Sequence, residues 1–533
     1  MGAFRRFLSW IGIGSRADAE ADDAAIVMPS RGPYAGAAYD RLLWDWIVGI
    51  MSADREVYGS LSQLRARARD LARNNSSVAG YLNDLGTQVV GAEGFEFQAQ
   101  ILNAQEEPWR AVNFALEDAF AEFSEPENFT VEGVLSRPEV ERLVLRTWAT
   151  DGEVFIRERP GYPNRFGYAL ELIDADLVDE TYNVAPNDDG VEIRMGVEVD
   201  RDGRRLAYHV LPRHPADINF SRVRPERIRV PASEIIHLFT PLRPGQTRGV
   251  SWFAPILFDI RMEQGYREAE VVAARMQAAK GGVIINKTPE AIEAYVERLR
   301  HLSEDEFLRE IRSRPVHFLP GVAPELVPGQ EFQQFDPTHP PTAFEAFLRA
   351  LHRAQARALG VSYATYTGDL KQANFGSLRA GLLPERDFYR TLQQSMRVRL
   401  HRRAYRGWLR SALLTRSIAL PAGAPRIPGA YMRVEFRGRG WPWIDPLKDI
   451  AASDLEIKLG VNSRQRVAAE RGRDYEEIVD ELAEEQRYAQ EAGVYVGGKS
   501  QPATREGAAG TGAGRSPDAR SRIAHLTNGN GKP

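Results

Sequence analysis

The chain of 533 residues contains no cysteine. That absence excludes a disulfide scaffold, a thiolate nucleophile and cysteine-ligated zinc together, while leaving the compartment open. Lysine is scarce, with seven against 62 arginines, a bias that fits GC-rich coding better than a binding role. Neither sign of charge is in excess: the formal net charge is −4, so any nucleic-acid or membrane surface must be local. No run of about 18 apolar residues occurs, so no membrane-spanning helix is expected. The start, "MGAFRRFLSWIGIGSRADAEADD", runs basic, apolar, then acidic. Its apolar part, Phe7 to Ile13, is short and broken by Ser9 and Gly12, with no convincing cleavage site after it. Arg6 stands where a myristoylated Gly2 would want Ser or Thr. A flexible arm is the expectation for residues 1–33.

Hydrophobic residues make up 43% of the chain, enough for large cores. Residues 34–90 carry helical spacing, with Leu64, Ala68, Leu71 and Ala72 on one face and Val78, Leu82 and Leu85 resuming it after a break at Asn74 to Ser77. Further helices are expected at 108–123 and 138–148. From 151 to 240 the period changes to short alternating runs split by Asp-Gly, Asn-Asp and Pro, and "VDRDGRRLAYHV" reads as a hairpin turning at Asp202-Gly203. A long alanine-rich helix follows over 252–280. A small mixed block then leads to a second helix ending at Gly360, a polar loop, a helical stretch over 377–416, and more helix to about 490. The last 40 or so residues are small, polar and glycine-rich, and disorder is expected there.

The stretch "EAGVYVGGKS" formally matches a phosphate-binding loop through Gly493, Gly498, Lys499 and Ser500. Such a loop needs a buried strand before it and a helix after it. Here an acidic helical segment precedes and "QPATREGAAG" follows, so a nucleotide site is not expected. No His-Glu-x-x-His and no Gly-x-Ser-x-Gly occurs among the nine scattered histidines and the serines. His237, in the apolar "EIIHLF", reads as a structural histidine. Asp174, Asp176 and Asp179 sit at a strand end, where turn bonding is a simpler reading than a cation site. No cofactor or metal is expected.

Two basic stripes stand out. Glu345, Arg349, Arg353 and Arg357 fall four apart on the second helix, and like charges at that spacing disfavour it. Carboxylates of a neighbouring subunit, nucleic-acid phosphate or water could answer them. Arg399, Arg402, Arg403, Arg406 and Arg410 form the other stripe, with an acidic counterpart from Glu476 to Glu485. The loop "TGDLKQANFGS" joins two helices and carries Asp369, Lys371, Gln372 and Asn374. Its composition suits an ordinary surface loop, or a mobile cation that touches phosphates without reading bases.

Four stretches, in order, resemble the lambda-like portal proteins of tailed phages. They are "RARARDLARNNSSVAGYLNDLGTQVVG", "HLFTPLRPGQTRGVSWFAPIL", "LGVSYATYTGDLKQANFGSLRAG" and "WIDPLKDIAASDLEIKLGVNSRQRVAAERGRDYEEI". Together they span roughly residues 60–480. One departure is "FGS", where related chains often carry a Tyr-Ser-Ser-like run. The resemblance implies an α+β, ring-forming subunit with the phage portal fold. A wing would fill 34–250, with a return over 377–440 that includes the long helix. Stem helices would occupy 251–281 and 340–361, around a clip at 282–339 and a tunnel loop at 362–376. A helical crown would follow at 441–490 and a disordered tail at 491–533. It also implies a channel for double-stranded DNA at one vertex of the viral head, probed by Asp369, Lys371, Gln372 and Asn374. Arg349, Arg353 and Arg357 would form the stem's basic stripe, and Ala273, Ala274 and Ala278 would pack subunits together. The implied partners are its own copies in a dodecameric ring, the terminase large subunit, the capsid protein or scaffold, neck or tail adaptors, and DNA bound without sequence specificity. The implied place is the virion, reached through the host cytoplasm, with no membrane and no bond chemistry. A nucleotide enzyme using Lys499, or another DNA-contacting head or neck protein, is the alternative.

Overall fold

A computed structural model describes residues 48–217, 226–278, 282–286, 330–334, 344–371, 374–441, 446–471 and 473–491, with scattered positions of 293–306. The chain divides after residue 472 into two units. The first opens with helices α1 (Ala53–Val57), α2 (Leu61–Asn74) and α3 (Ser76–Val89), then strand β1 (Glu96–Ala99). The break between α2 and α3 is a cap: the Asn75 side chain accepts from the Val78 amide at 3.0 Å. Next come α4 (Arg110–Phe123), the short α5 (Pro126–Phe129) and α6 (Arg137–Asp151). Ser136 and Glu139 close a capping box on α6, with Pro138 tolerated in its first turn.

The β-rich block is two antiparallel sheets. One has the order β3-β2-β8, from β2 (Glu153–Pro160), β3 (Tyr168–Ile173) and β8 (Ile235–Phe239). The other runs β4-β5-β6-β7, from β4 (Glu192–Arg194), β5 (Val197–Val199), β6 (Arg205–Val210) and β7 (Ile228–Pro231). The turn at Asp202-Gly203 joins β5 to β6 as expected: Asp200 accepts from the amides of Asp202 and Arg204, and Gly203 takes a φ of 77°.

Helix α7 (Leu257–Ala278) leads to β9 (Gly282–Asn286), which pairs antiparallel with β10 (Gln330–Gln334). Of the helices expected near 289–300 and 303–313 only scattered positions are described, with 293, 296, 297, 300 and 306 helical; β10 overlaps the strand expected near 325–332, and the strand expected near 316–319 lies outside the described residues. Then follow α8 (Phe344–Ala358), α9 (Tyr363–Thr367) and α10 (Phe375–Met396). A π-helical turn, Arg397–His401, continues α10 into α11 (Arg402–Thr415). Strand β11 (Val434–Arg437) pairs with β1, returning the chain to its first third. Helices α12 (Pro446–Lys458) and α13 (Arg464–Glu470) end the first unit, and α14 (Tyr475–Glu491) lies in the second.

The main core sits where α4, α6, α11, β1 and β11 meet, with Phe120, Phe123, Trp148, Tyr405, Trp408 and Phe436 buried together. Beside it lies a buried charge cluster that explains two of the sequence stretches. Arg65 and Arg69 of α2 reach inward. Arg69 bonds Asp151 at 2.6 Å, Asp174 at 2.7 Å and Asp176 at 2.6 Å, while Arg65 pairs with Asp176 and, at 3.4 Å, Glu153. Arg248, from "GQTRGV", grips Glu153 at 2.7 Å. Asp174 also accepts from the Asp176 amide and Asp179 from the Thr181 amide, so the aspartates serve turns and arginines. Among the described residues no His, Asp and Glu group could hold a metal.

His237 is structural, as expected. It stacks between Phe155 and Phe239, with ring centroids 4.2 and 4.5 Å away. Its Nε2 lies 3.1 Å from Glu153 and its Nδ1 3.3 Å from the Tyr208 hydroxyl. Burial pushes this imidazole down to about 4, against the opposing pull of Glu153. The unfolded chain would bind a proton here near 6.5, the folded chain only near 4. Stability from His237 is therefore complete above pH 6.5 and lost as pH falls towards 4. His401 is buried and shifted the same way, burial first, with Arg137 and Arg397 adding to it. Urea unfolding at pH 7.5 and 5.0 should show a stability drop of about 2 kcal/mol or more. In His237→Phe that drop should be smaller, and an unchanged pH dependence would place the acid sensitivity elsewhere.

Candidate nucleic-acid interface

The site is built on the antiparallel pair α7 and α8. Tyr266 of α7 meets Phe344 and Phe347 of α8, each with ring centroids 5.5 Å away. Towards the C-terminal end of α8, Glu263 accepts from Gln355 at 2.9 Å and pairs with His352 at 2.9 Å. Burial raises the Glu263 carboxyl, but the His352 and Gln355 hydrogen bonds outweigh it and hold it below the usual range.

This polar joint continues into the loop. Tyr366 is buried and donates to Gln355 Oε1 at 3.0 Å. Burial, then the Glu263 charge, raises its phenol well above the ordinary value, so it stays a donor. Ser362 caps α9, and its amide and the Thr365 hydroxyl both donate to Glu385 of α10, at 3.1 and 3.0 Å. Gly368 ends α9 in the left-handed region at φ 70°. The first part, 362–368, of the stretch read from the sequence as a loop over 362–376 is thus a capped helical turn fixed to both long helices.

Asp369 lies at the loop's root. Its carboxylate accepts from the Lys371 amide and the Tyr363 hydroxyl, both at 3.0 Å. These bonds, with the nearby Arg349 and Lys371 charges, hold its pKa below the usual range. Arg349 pairs with Glu345 at 2.6 Å, and the Arg353 guanidinium sits 5.6 Å from the centre of the Tyr363 ring. Arg349, Arg353, Tyr363, Asp369 and Ser377 line one cleft of about 230 Å³.

The structure therefore brings together Asp369, Arg349 and Arg353. Arg357 is exposed and outside that cleft. Lys371 is exposed at the tip. Asn374 is committed to α10: it accepts from the Ser377 amide at 2.8 Å, and Ser377 returns the bond to the Asn374 amide at 3.0 Å. Gln372 lies outside the described residues, as does the stretch from 492 through Lys499. On α7, Ala273 is half-buried and Ala274 exposed, and the side chain of Ala278 is outside the described residues. Sequence reasoning missed Tyr363, Tyr366, Glu263 and Glu385. The one available signal was the three-residue spacing of Tyr363 and Tyr366, which places both on one side of a helical turn.

Among the described residues, no helix is long and apolar enough to cross a membrane. The family model described as "Phage portal protein, lambda family" matches residues 39–393. The probable portal protein of Halomonas phage phiHAP-1 is 31% identical over 443 residues, covering 83% of each chain. Portal protein B of Escherichia phage lambda is 22% identical over 489 residues, covering 86% of this chain and 90% of that one. A chain from the virion of a native gene transfer agent particle superposes with a TM-score of 0.41 at 15% identity, over 78% of this chain and 94% of that chain, a likeness too loose to build on. The family match over most of its length, together with a relative above 30% identity, places the chain in the lambda family of phage portal proteins.

Proposed function

We propose that copies of this chain close into a ring, a dodecamer, around a channel through which double-stranded DNA enters and leaves a viral head. The family match over residues 39–393 carries this reading. The loop's construction supports it. Its root is fixed through Asp369, Tyr363 and Tyr366, and its exposed tip offers Lys371. A channel gripping many phosphates would stall its cargo, because each phosphate contact adds affinity steeply. One loop cation per subunit leaves DNA free to slide, read neither by sequence nor by shape. Bond chemistry belongs to the partner motor, a terminase large subunit docking on residues 282–339. The capsid protein or scaffold and neck or tail adaptors complete the partners, at the portal vertex of the virion after assembly in the host cytoplasm.

Electron microscopy of the purified chain tests the ring: end-on views should show closed rings with a hole wide enough for a duplex, and a solid or open assembly would sink the reading. The loop has its own test. A deletion starting at 365 would remove the buried Tyr366, so the informative change replaces only residues 370–373 with two glycines. Rings should form as before, while packaged or retained DNA falls by roughly tenfold or more, on the scale of losing one cationic contact per subunit. Normal packaging would remove this loop from the passage.

A further inference from the structure

Helices α4 and α11 pack back to back. Phe120 of α4 meets Trp408 of α11 edge-on, ring centroids 5.1 Å apart, and Phe123 stands 5.7 Å from the same indole. Each helix turns its other face away from its mate. On α4 that outer face carries Arg110, which has a partner of its own, then Phe114, 71% exposed, and Asp118, each four residues on, with Glu125 just past the helix end. On α11 it carries Arg402, Arg406 and Arg410, then Leu414, 84% exposed.

Among the described residues, neither face is answered by another part of the chain. Arg403, the inward member of that stripe, pairs with Glu158 at 2.8 Å, and Arg399 donates to the Phe239 carbonyl. Among the described residues, Arg402, Arg406 and Arg410 have no carboxylate partner, and Asp118 and Glu125 have no cation. Arginines four apart repel one another, so the bare stripe weakens its own helix. Beside Arg402 and Arg406 lies a cleft of about 270 Å³, bordered by Met432 and Arg433.

We propose that these faces are the two halves of one subunit contact, with α4 of one copy docking on α11 of the next and Phe114 entering the cleft beside Arg402. The proposal rests on the ring reading and adds which surfaces close the ring. A closed ring needs a heterologous contact, two different and complementary patches on opposite sides of each subunit. An acidic, aromatic face and a basic, aliphatic face on opposite sides of one core meet that requirement. A two-fold dimer through either face would set like charges together. A polyanion such as duplex phosphate would answer the arginines but leave Asp118, Glu125 and the bare Phe114 unexplained, so a second copy is the occupant.

Two charge-reversed full-length chains test this. Arg402→Glu/Arg406→Glu makes both faces acidic, and Asp118→Arg/Glu125→Arg makes both basic. Each alone should need at least roughly tenfold more protein than the parent to form rings, because like charges then meet across the contact. Mixed one to one, they should assemble again, since every contact pairs acid with base. Circular dichroism checks folding, and the neutral Arg402→Gln/Arg406→Gln chain should fall between parent and reversal. If either reversed chain assembles like the parent, the contact lies elsewhere and the ring reading stands. If both fail alone and fail when mixed, the pairing is wrong. If the parent forms no ring, the ring reading itself falls and takes this contact with it.

Discussion

Arg248→Ala is expected to destabilise the fold around the two antiparallel sheets by about 3–5 kcal/mol, the range for removing one partner of a buried ion pair. Arg248 and Glu153 are both fully buried. The guanidinium bonds both Glu153 oxygens and also the carbonyls of Val178, Met195 and Ala175, at 3.1, 2.7 and 3.2 Å. One side chain thus joins β2 to the turn that leaves β3 and to the turn that follows β4. For the Glu153 carboxyl, burial alone would raise the pKa. The Arg248 charge and the His237 hydrogen bond overcome that and hold it far below the usual range. Without Arg248 the cost of burying Glu153 is opposed by His237, Arg65 and the Gly249 amide, and three carbonyls lose their donor. Each orphaned group costs about 1–3 kcal/mol. Urea unfolding at pH 7 measures the loss. The same account expects Glu153→Gln added to Arg248→Met to cost clearly less than the two single changes summed, because the stranded charge is gone. A loss below about 1 kcal/mol for Arg248→Ala would show that water or Arg65 replaces it, against the geometry.

Arg248 also shows where sequence reading stops. "RARARDLARNN" is legible as a helix, and a charged helix is ordinarily expected to be solvated. Arg65 is only 2% exposed because Glu153 and Asp176, far along the chain, meet it there, and no local pattern encodes that meeting. The pairing of β1 with β11 is equally non-local: two four-residue strands from opposite ends of the unit carry too few residues to show a period. Strand β9 escaped notice for the same reason, being five residues long and directly after the expected helix over 252–280. What was legible rests on local rules. The Asp202-Gly203 hairpin follows from turn chemistry, the helix from 375 to 415 from a long apolar period, and the structural His237 from its apolar strand. In the loop, sequence reading found the polar residues but not the fixed turn. Five residues give helical spacing a single repeat, Tyr363 to Tyr366, and Asn374 is polar because it caps α10.

Gly152→Ala should be as damaging as loss of Arg248, for a steric reason. Gly152 ends α6 in the left-handed region at φ 88°, and an added Cβ would stand 2.1 Å from the Val250 carbonyl carbon. That neighbour is backbone, held by the bond from the Trp252 amide to the Ala149 carbonyl at 3.1 Å, so it cannot swing aside. Gly249 faces it reciprocally: a Cβ there would lie 2.2 Å from the Gly152 oxygen. Each glycine leaves room for the other's main chain. The conformational part alone costs about 1–2 kcal/mol, and the clash forces the two segments apart on top of that. Gly203→Ala isolates the first part, because Gly203 has a φ of 77° and nothing within 4 Å of an added Cβ. The expected order is a cost of about 1 kcal/mol at Gly203 and more than about 3 kcal/mol at Gly152. Near-equal losses would mean that the backbone contact is softer than drawn. The Gly152–Gly249 joint also sets how the chain passes from the β-rich block to α7. Gly152→Ala chains that remain folded at low temperature should therefore still fail to form rings, whereas Gly203→Ala chains should form them normally.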